Sequence, residues 1–162
     1  MRLRILLLIL ATAACASARP SARPKSACDV LTRSDLAAVQ GQEYAEAKLS
    51  DRGETSTCFF QLPSFVNSVS LDVTRGGGRE FWREHFVERE EEEAEEEGEE
   101  KRPPKEVEGI GDAAFWAGSR MAGSLYVLKG DNVVRVSVGG AGTEEEKIAK
   151  SKNLAKRALK RL

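Results

Sequence analysis

Asn67-Ser68-Val69-Ser70-Leu71-Asp72-Val73-Thr74 alternates cleanly between apolar and polar side chains. Val69, Leu71 and Val73 point one way; Ser68, Ser70, Asp72 and Thr74 point the other. Successive residues of a strand project to opposite faces, so this pattern predicts a strand with one buried and one wet face. Gly76-Gly77-Gly78 breaks it.

Working outward toward the N-terminus, Thr55 to Leu62 carries Thr57, Cys58, Phe59 and Phe60, which suits a second strand, and Pro63 ends it. Asp51-Arg52-Gly53-Glu54 reads as a turn, and Gln42 to Leu49 as a weak first strand. Before it, Thr32 precedes Arg33–Gln40 with Asp35 three residues on, which is a capping box. Gly41 is a natural helix stop. Leu36 and Val39 share one face of this short helix, with Val30 or Leu31 as the entry staple.

Toward the C-terminus, a second helix is expected from Arg79 to about Glu97. Phe81, Trp82, His85, Phe86 and Val87 give its first two turns an apolar face. Ten of the thirteen residues from Glu88 to Glu100 are Glu, and like charges at i, i+4 repel. The helix is therefore expected to dock by its start, with residues 88–102 solvated and Pro103-Pro104 ending it. Three more strands follow: Asp112–Ala117, Ser124–Lys129 and Val133–Val138, the last two joined by a Gly130-Asp131-Asn132 turn. Thr143 with Glu146 opens a final helix by a second capping box. Its stripe is Ile148, Ala155, Leu159 and Leu162, helped by Ala158. Lys156, Arg157, Lys160 and Arg161 at its end match the helix dipole, which accounts for them without a nucleic acid.

The order is helix, three strands, helix, three strands, helix. Hairpin-length links imply antiparallel pairing with helices on the sheet. The expected fold is α+β: an antiparallel sheet from two αβββ-like halves plus a C-terminal helix, in one domain over residues 27–162. A chain of 162 residues has no room for a comfortable second domain.

The first residues read as an address. Arg2 and Arg4 precede a ten-residue apolar run, Ile5 to Ala14, and small residues follow from Ala11 to Ala18. This is the layout of a secretory signal peptide, and the run is too short for a bilayer-spanning helix of about 20 residues. Two processing routes stay open: cleavage after Ala18, giving a signal peptide over 1–18, or a lipoprotein signal ending before Cys15, whose thiol would be acylated. Residues 19–26 read as a flexible tether. Export would bring the chain into an oxidising compartment. Cys15 is then removed or lipidated, leaving Cys28 and Cys58 as the pair inside the folded region. A disulfide between them is expected; the alternative is two buried free thiols. Loss of Arg2 and Arg4 moves the net charge from −1 to about −3, which argues against nucleic acid as a partner.

Several of these motifs occur together. Cys28-Asp29-Val30-Leu31-Thr32 leads through Asp35 to Gly41, then to Cys58 with its aromatics and the 67–74 strand. Later come Gly109-Ile110-Gly111-Asp112-Ala113-Ala114-Phe115-Trp116 and Leu125-Tyr126-Val127. Over residues 27–162 the chain resembles exported bacterial proteins, many of them lipoproteins, with a Cys-x-x-Leu helix start and a second Cys on a strand. The resemblance implies a cell-envelope location, a Cys28–Cys58 disulfide, and a fold similar to that of the PsbP-like photosystem accessory proteins. It supplies no catalytic residues, and the long Glu run departs from its pattern.

Chemical motifs are sparse. His85 and Glu88 share a helix face, but a zinc site wants three or four ligands and His85 is the one histidine. The Glu run lacks the spacing of a calcium loop. Gly76-Gly77-Gly78 and Gly109-Ile110-Gly111 lack the context of a phosphate loop and read as joints. No Ser elbow is present, and paired cysteines are not nucleophiles. No catalytic residue, metal or cofactor is expected. Trp82, Phe115, Trp116 and Tyr126 either line a pocket or fill the core. The function expected is a non-enzymatic accessory or binding module: periplasmic, extracellular or lipid-anchored to the envelope through Cys15. Glu90, Glu91, Glu92, Glu93, Glu95, Glu96 and Glu97 would contact a basic protein partner or another envelope component. The alternative is a carrier of a small apolar ligand held by the four aromatics.

Overall fold

The alternating strand at 69–75 lies beside the central strand of a seven-stranded sheet. The computed structural model describes residues 25–87, 103–118 and 122–162. Its strands are β1 Glu46–Arg52, β2 Thr55–Gln61, β3 Val69–Arg75, β4 Lys105–Glu106, β5 Ala113–Gly118, β6 Gly123–Lys129 and β7 Asn132–Val138. They lie in the order β1-β2-β3-β7-β6-β5-β4 and every pair is antiparallel. Two meanders are thus joined through β3 and β7. The helices are α1 Arg33–Gln40, α2 Gly78–Trp82 and α3 Glu144–Leu159, and short 3-10 turns occupy Ala27–Asp29 and Phe65–Asn67. The fold is α+β, as the element order implies.

Both capping boxes form. The Thr32 hydroxyl accepts from the Asp35 amide at 3.2 Å while the Asp35 carboxylate accepts from the Thr32 amide at 2.9 Å. Thr143 and Glu146 exchange the same two bonds at 3.2 and 2.9 Å. Gly41, in the left-handed region at φ 75°, closes α1 by donating to the Ala37 carbonyl.

One face of the sheet is dry. Cys58 and Phe60 of β2, Val69, Leu71 and Val73 of β3, Val134 and Val136 of β7, Leu125 and Val127 of β6, and Trp116 of β5 are buried on it. Helix α3 lies over β6 and β7, α1 packs against α3, and the Ala27–Asp29 turn packs on β1, β2 and β3. Cys28 in that turn is disulfide-bonded to Cys58, with Cα atoms 5.0 Å apart. The pair therefore fastens the N-terminal segment, which buries Ala27, Val30, Leu31 and Leu36, to the sheet.

Several expectations are corrected. β4 pairs with Phe115 and Trp116 but has two charged residues and no alternation to betray it. The first strand runs 46–52 rather than 42–49, and the turn narrows to Gly53-Glu54. The second helix is α only to Trp82 and continues as a π-helical turn, Arg83–Val87. Its expected continuation through the Glu run lies outside the described residues. On α3 the buried line is Lys147, Ser151, Leu154, Ala155 and Ala158, and Leu162 is 45% exposed. Two polar residues open that line, so an apolar-only reading shifts sideways and misses Leu154.

Candidate functional site

Strand alternation decides what the opposite face of the sheet carries. Ser70 and Asp72 of β3 lie there, between the buried Val69, Leu71 and Val73. Arg135 and Ser137 of β7, Ser124 and Tyr126 of β6, Phe115 of β5 and Phe59 of β2 share that face. The register sets Asp72 directly opposite Arg135, Arg135 opposite Tyr126, and Tyr126 opposite Phe115.

Helix α2 covers only one side of this face. Its N-terminal backbone is held by the β6–β7 turn: the Asp131 carboxylate accepts from the amides of Gly77 and Arg79 at 3.1 and 3.2 Å. The glycines considered as an anion cradle thus hold a carboxylate of the chain itself. A Cβ on Gly78 would stand 2.6 Å from the Asp131 carbonyl oxygen, so this contact requires glycine. Docked there, α2 and the π-helical turn bring Trp82 and Phe86 onto Phe115 and Tyr126. Ring centroids are 4.7 Å apart for Trp82–Phe86, 5.4 Å for Trp82–Phe115, and 5.2 Å for both Phe86–Phe115 and Phe86–Tyr126. The rings pack on one another and fill the space between helix and sheet. His85 stacks on Phe81 at 4.0 Å and meets the Phe81 carbonyl at 2.9 Å through Nδ1.

The four aromatics considered as one pocket are therefore divided. Trp82, Phe115 and Tyr126 sit together, but Trp116 lies on the dry face, where its indole occupies the space left by Gly123. Adjacent residues of a strand cannot line the same side of it. The Glu90–Glu97 carboxylates and Cys15 lie outside the described residues. Among the described residues no three His, Cys, Asp or Glu side chains gather as a metal would require.

Beyond α2 the face is open, forming a groove of about 840 Å³ lined by Phe59, Val66, Ser70, Ser124, Tyr126 and Arg135, among others. Arg135 organises it. Its Nη1 donates to Asp72 at 2.9 Å and its Nε to Ser124 at 3.2 Å, and its guanidinium lies 5.7 Å from the Tyr126 ring centre. The Ser124 and Ser137 hydroxyls are 2.5 Å apart. The Arg135 side chain remains 43% exposed, against 16% for Asp72. One rim is the Phe65–Asn67 turn, with Phe65 and Val66 66% and 69% exposed and Phe65 tilted against Phe59 at 5.8 Å. That rim is fixed from behind: the Gln40 amide donates to the carbonyls of Asn67 and Gly139 at 2.7 and 3.1 Å.

Sequence reasoning identified Ser70 and Asp72 only as a wet strand face and did not single out Arg135, Ser124, Ser137 or Phe59. The pairing of β3 with β7 is what unites them, and Asp72 and Arg135 are 63 residues apart.

A second charged cluster is structural. Asp35 is buried and accepts from Arg157 at 2.9 Å and from Arg161 at 2.7 Å, and Arg161 also donates to the Val30 carbonyl at 2.9 Å. Burial alone would raise the Asp35 carboxyl. The bonds from the Thr32 amide, Arg161, the Thr32 hydroxyl and Arg157 outweigh it and hold the group well below the usual carboxylate range. Two of the four basic residues at the end of α3 thus tie α3 to α1.

The sequence matches no protein-family model. It matches no curated protein. Among solved structures the chain is similar to a GTP binding regulator from Thermotoga maritima, with 14% identity and a TM-score of 0.41, over 79% of this chain and 90% of that one.

Proposed function

We propose that this chain is an exported cell-envelope protein acting as a non-catalytic binding module, with its ligand on the open face of the sheet. An intramolecular disulfide points to a location outside the cytoplasm, where such bonds persist. The leader-like N-terminus agrees with that location. The observation that carries the binding role is the groove beside α2, where a half-exposed Arg135 is held by Asp72 and Ser124 beside exposed Phe65 and Val66. The acidic run, Glu90–Glu93 and Glu95–Glu97, adds a contact for a basic partner within the same module. Exposed charges are screened, so that contact weakens with salt.

The test removes any lipid tether first, by expressing the full chain with Cys15→Ala. The secreted protein is expected to co-sediment with washed cell envelopes of its host. Adding Ser70→Tyr, which places a ring in the groove without touching the dry face, is expected to release it while leaving its circular dichroism unchanged. Equal sedimentation with and without Ser70→Tyr, or no sedimentation of the parent, contradicts the proposal.

A further inference from the structure

We infer that the open face is a saccharide site that takes a short stretch of a neutral, polyhydroxylated chain across β2, β3, β7 and β6. This rests on the reading of that face as the binding surface and names what it binds.

A sugar ring has two kinds of surface. Its C–H faces stack on aromatic rings, and its hydroxyls each donate and accept hydrogen bonds. The groove offers a matching set. Phe59 on β2 and Tyr126 on β6, each half-buried against a neighbouring ring, line it on strands three spacings apart, about 14 Å. Between them lie Ser70, Ser137 and Arg135, which supply hydroxyl and guanidinium groups, with Asp72 beside Arg135 on the same face of the sheet.

These groups are held in place before any ligand arrives. Arg135 is fixed by Asp72 and Ser124, and Ser124 by Ser137. A prearranged polar surface loses less side-chain freedom on binding. Arg135 uses part of its five donors on these partners and leaves the rest uncommitted among the described residues. Its half-exposure keeps those donors within reach of solvent.

Charge and shape narrow the ligand. Asp72 pairs with Arg135 and offsets its charge, so a strongly anionic chain gains little there, whereas phosphate backbones need several cations. Lys147 also lines the groove but has its own contact within the fold. A small apolar ligand is normally buried over most of its surface in an enclosed pocket. This groove is open rather than enclosed, which suits part of a longer chain. A directly opposed Asp–Arg pair is a common device of sheet faces. The exposed Phe65 and Val66 on the rim, with Phe65 against Phe59, are not part of that device.

The test has two arms, both on the Cys15→Ala secreted protein. In the first, host envelopes are treated with periodate, which cleaves vicinal diols, or with protease before sedimentation. Retention is expected to survive protease and to be lost after periodate. Retention that survives periodate and is lost after protease overturns the saccharide inference while leaving the binding-module reading in place. In the second arm, tetrasaccharides of glucose and mannose are titrated in turn to millimolar concentration and backbone amide shifts are followed. At least one is expected to shift amides of β2, β3, β6 and β7, with little effect of added salt. Ser70→Tyr is expected to weaken that binding at least tenfold, and Tyr126→Ala to weaken it as well. Shifts confined to α3, or shifts unchanged in Ser70→Tyr, overturn the inference.

Discussion

Replacing Cys28 by serine and Cys58 by alanine together is expected to lower the unfolding free energy by about 3–4 kcal/mol. The disulfide closes a loop with a sequence separation of 30. In the chain-entropy model that closure removes freedom from the unfolded chain in proportion to the logarithm of loop length. The native structure shows why the segment depends on it. The loop contains α1 and β1, and β1 is an edge strand exposed along nearly its whole length. Little apolar burial holds β1 in place, so the bond from the Ala27–Asp29 turn to β2 confines it from one side. For a domain of this size the loss corresponds to a fall in melting temperature of about 10 °C. Denaturant titrations of the oxidised protein and the double variant would measure it. A difference below about 1 kcal/mol would show that the entropic account of this bond is wrong.

The second large effect concerns Asp35. Asp35→Ala removes the N3 half of a capping box and leaves Arg157 and Arg161 without their shared carboxylate. Breaking a buried ion pair from one side costs about 3–5 kcal/mol. Both arginine side chains are about a third exposed, so the lower end, about 3 kcal/mol, is expected here. The same group sets a pH dependence. In the unfolded chain an Asp takes up its proton near pH 4. In the folded chain Asp35 holds its charge to well below that. Its contribution is therefore fully present above about pH 4 and is lost as the pH falls through the folded value. Stability of the parent is expected to fall with acid more steeply than that of Asp35→Asn. Parallel acid profiles for the two proteins would refute this role.

How far the sequence reveals the molecule depends on the range of the interaction. Local signals survive well. The alternation of Val69, Leu71 and Val73, the Thr32–Asp35 and Thr143–Glu146 boxes, and the glycine stops all reappear where their chemistry places them. Each involves residues within a few positions of one another. The disulfide was expected from counting cysteines, because export would leave one pair in the folded region. What stayed hidden depends on partners distant in sequence. β4 is a strand only because β5 is beside it. The Arg135 cluster exists only because β3 pairs with β7 in one register. Leu154 was overlooked because Lys147 and Ser151 share its buried line. The division of Phe115 from Trp116 was legible from strand alternation alone; grouping aromatics by type obscured it.

The account rests on export, and one measurement reaches that directly: the intact mass of the protein from its own host, taken without reduction after free thiols are blocked. The account predicts a chain without its leader, beginning at Cys15 with acyl groups or after Ala18 without them. It also predicts no blocking group at Cys28 or Cys58. A full-length chain from Met1 with both of those thiols blocked would contradict it.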